Sequence, residues 1–313
     1  VLQRNQGLLL RHKPHRLKQW KAHLAVLSAN ILFGVNFSVA QYITRNKISP
    51  LGLNLIRVTI TVILLWMLWL FAKQSASIKK KDIPRFIACS LTGVVINQIL
   101  FVKGVSLTLS IHAALLTLVT PIFITVVAAW MGTEPLNGKK IAGLIGGITG
   151  ACLLVMERNH SGNSTADEIF WGDMFIIINA ISYTFYFILV KPLMQAYKPI
   201  HVTRWVFTFG FAFMFPIAIK DFVEIDWSQL HAIDYAATLF VAIGATFLAY
   251  LFNIYGIGKL GSSTTGAYIY TQPIFAAVIA IIFLGEVLTL YKIIAAGLIA
   301  GGVYLVNKKK SEL

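Results

Sequence analysis

Nine polar side chains stand inside stretches that are otherwise apolar: Asn36, Asn97, Gln98, Lys103, His112, Tyr183, Tyr250, Tyr268 and Gln272. Amides, phenols, an imidazole and an ammonium can exchange hydrogen bonds with a ligand. They do not form the base-activated nucleophile that covalent chemistry needs. Buried in hydrocarbon, such groups are costly unless they bond one another or face water. At helical spacing, Tyr268, Gln272 and Phe275 share one face, as do His112, Leu116, Val119 and Phe123. Two aligned stripes suggest one cavity for a small-molecule substrate. The plainer use of each residue is an interhelical hydrogen bond, worth about 0.6 kcal/mol on average.

Lys103 lies between Phe101, Val102 and Gly104 near a span end. It could hold an anionic or zwitterionic ligand, or snorkel to the headgroups as Arg57 could. His112 could titrate near neutral pH or serve as a packing residue. Pro121 and Pro273 fall mid-span, where each frees a carbonyl one turn earlier and kinks the helix, for gating or for packing. Glu134 and Glu286 stand at equivalent helix ends, where they could cap or pair with Lys140 and Lys292.

Several chemistries find no support. Cys89 and Cys152 have no thiol or histidine at ligand spacing, so neither a metal site nor a disulfide frame is expected. The chain has no P-loop, no His-Glu-x-x-His, no nucleophile elbow and no evident acid pair within the spans. The pairs Gly143/Gly147, Gly146/Gly150 and Gly297/Gly301 occur in apolar sequence that cannot form a βαβ unit, so they are packing surfaces and not a dinucleotide fingerprint. They would join the halves or form a homodimer. No cofactor is expected, which leaves coupling to a proton or a counter-substrate.

These residues must be positioned by membrane helices. The chain is 57% hydrophobic and 12% charged, whereas soluble proteins carry about 25% charged residues. A helix needs about 20 apolar residues to cross the hydrocarbon core. The sequence predicts ten spans: 22–43, 53–72, 84–102, 107–131, 140–156, 171–190, 202–219, 234–255, 262–284 and 291–307. With the N-terminus inside, Lys and Arg divide 20 to 7 in favour of the cytoplasmic side, placing both termini there. The net charge of +15 is therefore a topology signal, spread over short connections, and no nucleic acid is implied. No short apolar segment with a cleavage site precedes the first span, so no removable signal is expected.

The spans repeat. Shifted by 152 residues, Gly104, Ser110, Pro121-Ile122-Phe123, Glu134, Lys140 and Gly150 fall on Gly256, Ser262, Pro273-Ile274-Phe275, Glu286, Lys292 and Gly302. A weaker echo at 149 aligns Asn30 with Asn179 and Pro50 with Pro199. Five spans per copy is an odd number, which inserts the copies in opposite directions. The expected fold is all-α and integral to the membrane, with ten transmembrane helices as two inverted five-helix repeats. Its parts are a basic segment 1–21, a first repeat 22–156, an external linker 157–170, a second repeat 171–307 and a basic tail 308–313.

The chain resembles the drug/metabolite transporter superfamily, specifically its EamA type, from about residue 22 to 307. The resemblance is carried by Phe33-Gly34-Val35-Asn36-Phe37, Pro50 before Arg57, Phe101-Val102-Lys103-Gly104, and Ala113-Ala114-Leu115-Leu116 through Thr120-Pro121-Ile122-Phe123 to Glu134, then Gly146 to Gly150. The second half repeats it as Tyr268 through Gln272-Pro273-Ile274-Phe275, Gly285-Glu286 and Lys292. Thr133 departs from the pattern before Glu134. The resemblance implies a secondary carrier of the bacterial inner membrane that moves small metabolites such as amino acids, with its cavity among spans one, three, four, six, eight and nine. Two other classes stay open on the residues alone: a polytopic membrane enzyme acting on a lipid-linked substrate, and a sensor or scaffold without flux.

Overall fold

A computed structural model describes residues 16–72, 77–130, 137–157 and 165–307. Every regular element among them is helical. In chain order the spans are α1 (Arg16–Asn46), α2 (Pro50–Ala72), α3 (Lys80–Leu107), α4 (110–130), α5 (Gly138–Val155), α6 (Ala166–Ala196), α7 (Pro199–Val223), α8 (Ala232–Leu260), α9 (Thr264–Leu284) and α10 (Leu290–Asn307). Among the described residues nine helices are long and apolar enough to cross a bilayer, and a tenth, shorter apolar helix covers Leu290–Val306. Glu134 and the tail from 308 lie outside the described residues.

The helix ends follow local chemistry. Thr165 and Glu168 form a reciprocal capping box at the start of α6. The Asn137 side chain accepts from the Lys140 amide at the start of α5. Gly285, at φ 67°, closes α9 in the left-handed region that favours glycine. These caps lengthen several helices beyond the apolar count. Residues 166–170, read as linker, already belong to α6, and α1 begins at Arg16 inside the segment read as N-terminal. Counting apolar residues stops at a charge, whereas a helix runs on to its cap.

The two predicted proline kinks are breaks. In α4 the helix Ser110–Thr117 ends, and a tight turn with Val119 bonded back to Leu116 leads into Thr120–Trp130, which carries Pro121 in its first turn. In α9 the 3₁₀ stretch Tyr268–Thr271 leads into Gln272–Leu284, with Pro273 in the first turn. Proline suits a first turn because its missing N–H would lack a helical partner there. Two further irregularities are matched. α3 widens to a π-helix over Leu91–Val95 and α8 over Phe240–Leu248, and both begin at the same place in the 149-residue echo.

The largest helix contacts recur when the halves are exchanged. α5 packs along α10, α2 along α7 and α4 against α9. α3 lies on α6 as α8 lies on α1, and α4 touches α6 as α9 touches α1. Glycines set the close approaches. A Cβ on Gly302 would sit 2.5 Å from the Gly143 carbonyl and 2.6 Å from the Gly147 amide, so α5 and α10 meet main chain to main chain. Gly104 admits Ile176 of α6, and its repeat counterpart Gly256 admits Val26 of α1. Gly297 and Gly301 meet nothing within 4 Å and are not part of that seam.

Gly302→Val should therefore lower the melting temperature of purified protein by the equivalent of about 1–3 kcal/mol of overpacking. Gly301→Val should leave it nearly unchanged. Equal melting curves for the two would show that α5 and α10 are not held by this seam.

Candidate functional site

Polar side chains gather at two levels. The first is the end of the bundle that carries the α3–α4 turn. There the Gln41 amide of α1 donates to the Thr108 carbonyl and accepts from Ser110 Oγ at 2.9 Å. Arg45 donates to the carbonyls of Ser106 and Thr108, placing a cation on the last turn of α3, where the helix dipole favours it. Glu286, between α9 and α10, accepts from the amides of Ser110 (2.6 Å) and Ile111 (3.1 Å) and so caps α4 from the other half. It is the cap, one of the two roles its position allowed.

His112 stands within this end. Its Nδ1 lies 3.1 Å from Asp173 of α6 and its Nε2 3.4 Å from Glu157 after α5. Thr108 Oγ1 donates to Asp173, and Thr289 donates to Glu157 at 2.5 Å. Lys292 is buried and donates to the Val287 carbonyl. Tyr42 of α1 and Lys47 just after it both reach Asp234 at the start of α8, at 2.7 and 3.5 Å. Charged and hydrogen-bonded groups from both halves thus close this end.

Glu157 lies just beyond its span. Burial raises its carboxyl pKa, but the bonds from His112 and Thr289 and the charge of Lys292 outweigh that and hold it below the usual glutamate range. A depressed pKa contributes stability that is fully present above the unfolded value and is lost as pH falls through the folded one. Thermal stability should therefore fall below about pH 4, the ordinary glutamate range, and Glu157→Gln should flatten that fall. An unchanged acid profile in Glu157→Gln would show that the carboxylate does not brace this end.

The second level lies deeper and bridges the halves. Gln272 Nε2 donates to Asn30 Oδ1 at 2.8 Å. Asn179 Nδ2 donates to the Asn97 carbonyl at 2.6 Å, and Asn97 Nδ2 returns a long bond of 3.4 Å to the Asn179 carbonyl. Asn54 Nδ2 of α2 donates to the Gln98 carbonyl of α3 at 3.1 Å, and Arg57 Nε donates to Thr246 Oγ1 of α8 at 3.0 Å. Beside them Tyr250 packs edge-on against Phe33 and Phe207, and Tyr183 leans on Tyr186. Several buried atoms at this level have no hydrogen-bond partner: Asn36 Oδ1, Asn54 Oδ1, Gln98 Oε1, Arg57 Nη1 and Thr61 Oγ1.

The nine residues expected to share one cavity are therefore distributed. Asn36, Asn97, Gln98, Tyr183, Tyr250 and Gln272 belong to the deeper level. His112 belongs to the closed end. Tyr268 hydroxyl meets His23 Nδ1 at 2.8 Å, joining α9 to the opposite end of α1. Lys103 is exposed. It sits five residues after Gln98, about 140° around the helix, and so leaves the face on which Gln98 is buried. Asp173 and Glu157 went unread in the sequence, although a lone carboxylate two residues into an apolar span was a visible signal. Arg57 was visible too, and is 5% exposed where snorkelling would have left it at the headgroups.

A sequence profile of the EamA-like transporter family matches this chain twice, over residues 20–156 and 170–308. The uncharacterized transporter YetK of Bacillus subtilis (strain 168) is 24% identical over 295 residues, covering 94% of this chain and 89% of that one. A protein of Streptantibioticus cattleyicolor named "Probable terminal-alkyne amino-acid exporter" is 23% identical, covering 74% of this chain and 75% of its own length. A chain of known crystal structure superposes with a TM-score of 0.60 at 16% identity, covering 91% of this chain and 96% of that chain, which shows a shared fold.

Proposed function

The chain belongs to the EamA-like transporter family, within the drug/metabolite transporter superfamily, and on that premise we propose a secondary carrier of small metabolites working by alternating access. Its relatives are named as transporters, not enzymes, and it is an integral membrane protein. Its substrates are amino acids or related zwitterionic organic compounds, moved outward across a bacterial inner membrane. The relative named as an amino-acid exporter supports that class.

The observation that carries the reading is the set of buried, unpartnered polar atoms where the halves meet. Lipid offers such groups no partner, so a substrate or water supplies one. The ten helices are two inverted five-helix repeats, a reading supported by the largest helix contacts, which recur on exchange of the halves. The bias of 20 basic residues to 7 supports cytoplasmic termini, and the closed end with His112, Asp173 and Glu157 is then the outer one. Opening outward separates that network, while the breaks at Pro121 and Pro273 let the half-helices bend. Coupling to a proton is supported by His112 between two carboxylates. Asn36, Asn97, Gln98, Tyr183, Tyr250 and Gln272 line the pocket, with no place in it for exposed Lys103.

Flux of labelled amino acids by purified protein in sealed vesicles tests this. Gln272→Ala should lower flux about tenfold through loss of one buried hydrogen bond, with membrane insertion intact. Lys103→Ala should transport like the parent. Undiminished flux in Gln272→Ala would remove the pocket assignment, and tags at the two termini labelled from opposite sides would remove the inverted topology.

A further inference from the structure

One face of the otherwise apolar α2 is polar. Asn54, Arg57 and Thr61 recur at helical spacing, so they form a stripe along the helix. Each is buried, at 0%, 5% and 1% exposure, and each keeps one polar atom without a partner: Asn54 Oδ1, Arg57 Nη1 and Thr61 Oγ1. Threonines elsewhere in these helices spend the hydroxyl on a carbonyl four residues back, as Thr44, Thr117 and Thr184 do. Thr61 does not.

Arg57 is the decisive member. Among the described residues no carboxylate lies within ion-pair distance of its guanidinium, and its one bond is neutral, from Nε to Thr246. Thr246 is fixed from behind, since its hydroxyl donates to the Val241 carbonyl at 2.7 Å inside the π-helical stretch of α8. Such wide turns occur often at functional sites. The phenol of Tyr250 lies within electrostatic reach of Arg57. A buried cation without an anion is expensive and is kept where something negative joins it. At the 149-residue echo Arg57 falls on Val206, and the buried arginine of the matching helix, Arg204, instead lies over the rings of Trp66 and Trp69 and meets His201 Nδ1 at 2.8 Å. Arg204 is thus accounted for by aromatic rings, whereas the Arg57 guanidinium keeps Nη1 unpartnered.

We propose that Arg57, flanked by Asn54 and Thr61, forms the subsite that holds the carboxylate of a zwitterionic amino-acid substrate. A guanidinium presents donors in a fork that fits a carboxylate. The carbonyl oxygens of Asn54 and Gln98 accept only, and they suit the ammonium of the same zwitterion. One cation beside neutral groups matches a single negative charge, which separates this ligand class from phosphates. The inference rests on the carrier reading, and it names the residue that selects the acid.

Thermal-shift titration of purified protein with the L-amino acids, each paired with its carboxamide, tests the subsite apart from flux. At least one acid should bind the parent protein, and its amide about ten- to a hundredfold more weakly, the size of a lost charge-assisted hydrogen bond. Arg57→Gln should abolish the preference for acid over amide, Arg57→Lys should restore part of it, and Lys103→Ala should keep it whole. A monodisperse Arg57→Gln protein that retains the preference overturns the proposal, as does a parent protein that binds no acid. Vesicles then separate the two readings. Acid preference lost in Arg57→Gln without any flux by the parent would uphold the subsite and sink the carrier. Flux of amines or sugars by a parent that binds no acid would do the reverse.

Discussion

Hydrocarbon gives a polar group nothing to bond to, and the arrangement of this molecule follows from that constraint. Backbone donors and acceptors are spent within helices. Where α4 and α9 break, tight turns and a first-turn proline spare the orphaned groups. Side chains that cannot be satisfied within their own helix find partners across the bundle, and most of those partners belong to the opposite half. Glu286 reaches the amides of α4, Gln272 reaches Asn30, and Asn97 exchanges with Asn179. The halves are thus held by polar bonds as well as by packing, and such bonds can be traded for others when a helix shifts.

The two polar levels differ in how completely they are paired. At the α3–α4 end, carboxylates, imidazole and amides meet within hydrogen-bond or ion-pair distance, and helix termini are capped from a distance in sequence. Deeper in, pairing is incomplete, and the unpartnered atoms concentrate on α1, α2 and α3 opposite α8. A closely paired cluster, in which even His112 Nε2 and Glu157 Oε2 come within 3.4 Å, makes a good seal. An unsatisfied one favours the arrival of a complementary molecule.

Much of the architecture was legible because lipid forces a coarse code. Apolar length gave the spans, and matched prolines and glycines gave the repeat. Rotation about each helix axis was harder to see. Gln98 and Lys103 lie in the same span, yet only one is buried, since five residues turn the side chain well away from its starting face. His112 and Gln272 lie on matched helices but finish at different depths, because in the 152-residue register Gln272 falls on Thr120, about two turns beyond His112. Asp173 lay inside the predicted span 171–190 and went unread because its partners, His112 and Thr108, are more than sixty residues away. Partners such as Arg57 and Thr246, 189 residues apart, are set by tertiary packing and leave no local mark.

The seam of Gly143, Gly147 and Gly302 has a mechanical corollary. Two helices whose backbones touch have no side-chain cushion between them, so sliding by a fraction of a turn would drive a carbonyl into a neighbouring α-carbon. α5 and α10 thus behave as one rigid spar that crosses the boundary between the copies. In the proposed alternating access, large displacements would then fall on the remaining helices, with the spar as their axle.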